Sequence, residues 1–143
     1  MNTEEYTIQG SCGKYERKCW LIRGPKENTH PLCLFLDAEH YINVEPSTGN
    51  MNALPVIESM LKSEKVPSMT FVFVTHISGA ARHEDYTCNP QYAKFIANDV
   101  VEWARKKVPS ITSKNNVICG LSLSGLLSAY ITLNYPKVFS CCI

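Results

Sequence analysis

Residues 116–130 read Asn-Val-Ile-Cys-Gly-Leu-Ser-Leu-Ser-Gly-Leu-Leu-Ser-Ala-Tyr. A short apolar run ends in Gly120-Leu121-Ser122-Leu123-Ser124-Gly125, and a helix pattern of small and apolar residues follows. This is close to G-x-S-x-G, the strand–bend–helix signature that lifts a serine hydroxyl above a sheet edge, with Ser122 as the nucleophile. The bend is so tight that residues two before and two after crowd the serine, and Gly120 and Ser124 are both small. A hydroxyl so placed can attack a carbonyl, and the backbone N–H of Leu123, opening the helix, can stabilise the oxyanion that forms. Ser124 stands where glycine is usual. It suits the nucleophile's place less well, because its own flanks are Ser122 and Leu126. The plainer alternative is a glycine-and-serine turn with no chemistry, and the strand before and helix after weigh against it.

Other chemistry-bearing residues give weaker signals. His30, His40, His76 and His83 all precede Ser122. His76 follows a strand pattern and so belongs near the same edge, whereas His30, before Pro31, reads as a surface residue. The acids show no metal-ligand spacing, so no metal is expected. Asp37 closes an apolar run and can fix the loop after it by hydrogen bonds. Seven cysteines, an odd number without a C-x-x-C pair, argue for reduced thiols in apolar surroundings rather than a disulfide framework or a zinc site. Trp20 and Trp103 read as core, and residues 78–81 as a plain connector.

The elements that must position Ser122 alternate. Continuous apolar runs at 32–36, 69–75 and 117–119 suit strands buried on both faces. Residues 15–22 form another strand closed by Gly24-Pro25, and 138–143 begin one more. Helix patterns lie between them. Asn89 caps and Pro90 opens one, with Tyr92, Phe95, Ile96, Val100, Trp103 and Ala104 on one stripe before Pro109. Residues 53–61 and 124–134 form two more. Strands alternating with helices imply an α/β sandwich with a mostly parallel sheet, its ligands at the carboxyl ends of the strands.

The composition agrees. The 143 residues carry 14 Lys+Arg against 13 Asp+Glu, and 45% are hydrophobic. That excludes a disordered chain and gives no basic footprint for nucleic acid. No apolar stretch is long enough to span a membrane. The first residues lack the basic and apolar regions of a secretory signal, so the expected address is the cytoplasm.

The segment 120–139, GLSLSGLLSAYITLNYPKVF, resembles the nucleophile region of the enterochelin (siderophore) esterases and their relatives in the α/β-hydrolase superfamily. Three further stretches resemble that family in order and spacing: LFLDAEHY at 34–41, the helix and strand of 54–74, and RHEDYTCN at 82–89. The resemblance implies an α/β-hydrolase-like three-layer sandwich and a serine esterase acting through an acyl-serine. It places the nucleophile at Ser122 and oxyanion donors at Leu123 and Glu39, with Ala38 replacing the family's glycine. It places a substrate contact at Arg82 and an Arg82–Asp85 pair in shortened form; His83, beside Arg82, could touch an anionic substrate as well, the plainer alternative being a solvated loop histidine. It implies no cofactor and a small-molecule ester substrate, ferric siderophores included.

In this fold the triad runs Ser, then Asp or Glu, then His along the chain. Residues 123–143 contain none of these acids and no histidine. The expectation is therefore a single domain over 1–143, truncated after the helix that follows Ser122 and inactive alone. The alternative is a non-catalytic remnant or binding module, with self-association through an uncovered C-terminal strand edge.

Overall fold

The computed structural model describes residues 2–42 and 52–143. Six strands form one sheet in the order β1-β2-β4-β3-β5-β6. They are β1 (Glu4–Gln9), β2 (Glu16–Ile22), β3 (Leu32–Leu36), β4 (Thr70–Val74), β5 (Asn116–Cys119) and β6 (Phe139–Cys142). The β1/β2 and β2/β4 pairs are antiparallel, and β4/β3, β3/β5 and β5/β6 are parallel. The helices are α1 (Ala53–Lys62), α2 (Gly79–Tyr86), α3 (Pro90–Lys94), α4 (Val101–Lys107) and α5 (Leu123–Asn134).

Strand periodicity divides the apolar runs between two cores. Leu32, Leu34 and Leu36 of β3, Val72 and Val74 of β4 and Ile118 of β5 join one cluster with the helical residues Tyr92, Phe95, Ile96, Val100, Leu127 and Ile131. Cys33, Phe71, Phe73 and Cys119 point to the other face and pack with Ile57 of α1, Ala38 and Ile42. This is a three-layer sandwich, and it explains why these strands are apolar at nearly every position. Buried Asn116 fastens its centre: its side chain accepts from Leu32 N–H (2.9 Å) and donates to the Val138 carbonyl (3.1 Å).

The helix after Asn89 forms as its cap predicts. The Asn89 side chain accepts from the Gln91 and Tyr92 amides, and Pro90 takes the first turn. A π-helical stretch, Phe95–Val100, carries it without a break into α4. Four sequence expectations differ. The edge strand β1 was not expected, since its residues are mostly polar. Residues 79–86 form helix α2 rather than loop, because the Ser78 hydroxyl accepts from Ala81 N–H and caps it. His30 is buried, not on the surface; its ring bonds the Asn28 carbonyl and the Thr70 hydroxyl. Trp20 and Trp103 are only half-buried at the margins of the cores. Among the described residues no helix is long and apolar enough to cross a membrane.

Leu34 lies on a central strand with no exposure. Leu34→Ala is expected to cost about 2–5 kcal/mol in urea unfolding. Leu133→Ala, on the exposed face of α5, should stay within ~0.5 kcal/mol.

Candidate active site

β5 runs directly into the bend. Gly120 N–H donates to the Ile143 carbonyl (2.9 Å), which ties the strand end to β6. Ser122 then takes φ 57° and ψ −115°, a conformation ordinary residues avoid. The reason lies two residues back. A Cβ at Gly120 would sit 2.3 Å from the backbone C and O of Ser124 and 2.7 Å from Gly125 N, so only glycine fits. Position 124 has room for a side chain. Ser124 is fully buried, and its hydroxyl accepts from Leu121 N–H (2.7 Å) and donates to the Leu121 carbonyl (2.9 Å). The departure from glycine therefore braces the bend.

Ser122 is exposed at the N-cap of α5, and Leu123 is the first helical residue. The amides of a first turn have no carbonyl partner within the helix and sit at the positive end of its dipole.

The neighbouring strand β3 ends in a second constrained residue. Asp37 is fully buried and left-handed, with φ 57° and ψ 48°, and the short turn Ala38–His40 follows. Arg82 reaches back from α2 to grip its carboxylate with both prongs, Nε to Oδ1 at 2.8 Å and Nη2 to Oδ2 at 2.6 Å. The same Nη2 donates to the Leu121 carbonyl at 3.4 Å. His76 Nδ1 lies 3.0 Å from Asp37 Oδ1 and 3.2 Å from Glu39 Oε2, and the His76 amide donates to that Glu39 oxygen. Burial alone would push the Asp37 carboxyl up. The Arg82 guanidinium, with the Ser124 hydroxyl and His76 beside it, outweighs burial and holds it below the usual range.

The carboxyl ends of β3 and β5, adjacent in the sheet, thus bring together Ser122, Leu123, Asp37, Glu39, His76 and Arg82. His83 lies one residue beyond Arg82 on α2 and faces solvent. The Arg82–Asp85 pair is not formed. Asp85 is buried against Arg17 at 2.6 Å. Asp37, Glu39 and His76 offer oxygens and a nitrogen within 4.8 Å of one another. Both Asp37 oxygens already meet Arg82, so the cluster reads as an ion-pair network.

The model of the family described as "Putative esterase" matches residues 21–143. This chain belongs to that esterase family. Among curated proteins this esterase-family chain is similar to the iron(III) enterobactin esterase of Escherichia coli (strain K12). The two are 23% identical over 131 residues, 90% of this chain and 31% of that protein. Among solved structures it is similar to the enterochelin esterase of Shigella flexneri, with a TM-score of 0.88 and 21% identity, covering 99% of this chain and 35% of that one. It also resembles the BES protein from Bacillus cereus, with a TM-score of 0.75 and 18% identity, covering 99% and 60%. The fold is that of the α/β-hydrolase-like esterases. The chain spans about a third of the length of the curated relatives it matches.

Gly120→Ala is expected to abolish the native circular dichroism signal, whereas Ser124→Gly should fold and lose about 1–3 kcal/mol with its two side-chain bonds. Asp37→Asn leaves Arg82 unpaired and should cost about 3 kcal/mol at neutral pH. The folded pKa of Asp37 is depressed, so its contribution is present above the unfolded value, near 3.8, and is lost as pH falls through the folded one. The acid limb of the stability curve, followed by urea titration below pH 4, should therefore be shallower in Asp37→Asn.

Proposed function

We propose that this chain carries the nucleophile half of a serine carboxylic-ester hydrolase of the enterochelin-esterase type. The observation that carries the reading is the backbone of Ser122, held at φ 57° and ψ −115° and exposed where β5 meets α5. Ser122 Oγ attacks the ester carbonyl carbon, and the carbonyl electron pair moves onto oxygen. The N–H groups of Leu123 and Glu39 donate to that oxyanion. Collapse breaks the bond to the leaving alcohol, whose oxygen takes a proton. Water then attacks the acyl-serine, frees the acid and restores the hydroxyl. His83 is an exposed contact at the rim for the substrate.

The proton transfers need a base. Residues 123–143 supply no Asp, Glu or His, and this fold orders serine, acid and histidine along the chain. The reading therefore assigns the triad acid and histidine to sequence beyond these residues. Alone, the chain is left with the residual catalysis of an oxyanion site. The relatives support the proposed substrate class. They are named enterobactin or enterochelin esterases, and one related esterase was solved in the presence of enterobactin. Trilactone siderophores or related acyl esters are the proposed substrates, with iron as the substrate's cargo.

The place of β6 at the edge of the sheet supports a second reading, a non-catalytic module on the same scaffold that pairs with another copy through that strand. A boronic acid separates the two, since it bonds a correctly placed serine oxygen and fills the oxyanion site. With the purified chain, phenylboronic acid should give a tetrahedral boron resonance that Ser122→Ala removes while keeping the native circular dichroism. No tetrahedral signal from the unaltered chain would favour the non-catalytic module.

A further inference from the structure

We infer that Arg82 is a positioning residue for this site: its two-pronged bond to buried Asp37 holds the loop after β3 in register with the Ser122 bend. The inference rests on the esterase reading for its catalytic meaning, although the clamp itself stands on geometry. Asp37 is the hinge of that loop. Its carbonyl accepts from His40 N–H at 2.9 Å, and the Tyr41 and Ile42 amides close the turn on the Ala38 carbonyl at 3.0 and 2.9 Å. Glu39, whose amide is the second proposed oxyanion donor, sits inside this turn. A left-handed aspartate without water needs something to hold it, and its carboxylate meets Arg82 on both oxygens.

Arg82 touches the other half of the site as well. Its Nη2 contacts the Leu121 carbonyl, the group that the Ser124 hydroxyl also bonds, one residue before the nucleophile. Its guanidinium carbon lies 5.4 Å from the centre of the Tyr86 ring, and the Tyr86 hydroxyl accepts from Asp37 N–H at 3.3 Å. The cation is thus fixed by a carboxylate, a carbonyl and a ring. A planar fork is required for this, since a lysine ammonium cannot meet both carboxylate oxygens with parallel bonds. The same geometry commits Nε and Nη2 of Arg82 to the protein itself.

The test uses the intact chain with Arg82→Ala and Arg82→Lys, read in two ways. Hydrogen exchange of the His40, Tyr41 and Ile42 amides should quicken at least tenfold in Arg82→Ala while the amides of β4 keep their protection. Phenylboronic acid affinity should fall at least tenfold. Added methylguanidinium should restore both, which a general loss of packing would not allow, and Arg82→Lys should recover only part of either. Unchanged exchange of those three amides in folded Arg82→Ala overturns the inference. So does weakened boronate binding with exchange unchanged, which would mark Arg82 as a direct ligand. Should Arg82→Ala not fold, the exchange of Arg82→Lys decides alone. If the unaltered chain binds no boronate, the nucleophile reading fails, and quickened exchange in the variants still supports the clamp.

Discussion

A carboxylate without access to water lies where three connections meet. Asp37 ends β3, Arg82 arrives from α2 and His76 from the end of β4, and Arg82 passes on to the carbonyl before Ser122. An unpaired charge in that position would be costly, so the buried carboxylate and the guanidinium that grips it each depend on the other. Two left-handed residues, Asp37 and Ser122, stand at the ends of adjacent strands. Local strain of this kind persists only where the surroundings determine it, and here the parallel pairing of β3 with β5 and the ion pair do so together.

Much of the scaffold was legible because its causes are local. Unbroken apolar runs gave β3, β4 and β5, and both of the faces they bury have the partners such runs require. Asn89 and Pro90 announced a helix by their capping chemistry. The bend at Ser122 could be read from Gly120, Ser122 and Ser124 between a strand and a helix, since the close approach there is between residues four apart. What escaped depends on distance along the chain. The sequence around Arg82 offered Asp85 as its partner, three residues away, and folding delivered Asp37, 45 residues away, while Asp85 went to Arg17. Helix α2 escaped because only Asp85 and Tyr86 of its residues are buried, leaving no apolar stripe to find. β1 escaped because it is an edge strand whose one fully buried side chain is Ile8. His30 looked like a surface residue before a proline, and its burial depends on Thr70, 40 residues on.

Membership of the esterase family and likeness to the enterochelin esterase of Shigella flexneri agree with what the backbone does at the sheet edge. The identities are low, yet the features that fix the bend do not need high identity. They need one glycine, one small residue, a strand before and a helix after. Those constraints act through backbone atoms, so the side chains around them are free to diverge while the geometry stays.

The two flanks of the bend differ in their freedom. Position 120 is closed to anything with a β-carbon, whereas position 124 accommodates a hydroxymethyl group and gives its oxygen two backbone partners. A serine at the second flank is therefore compatible with the bend that carries the central hydroxyl. A pattern that insists on glycine at both flanks would pass over this chain, whose bend is sterically closed at one flank and open at the other.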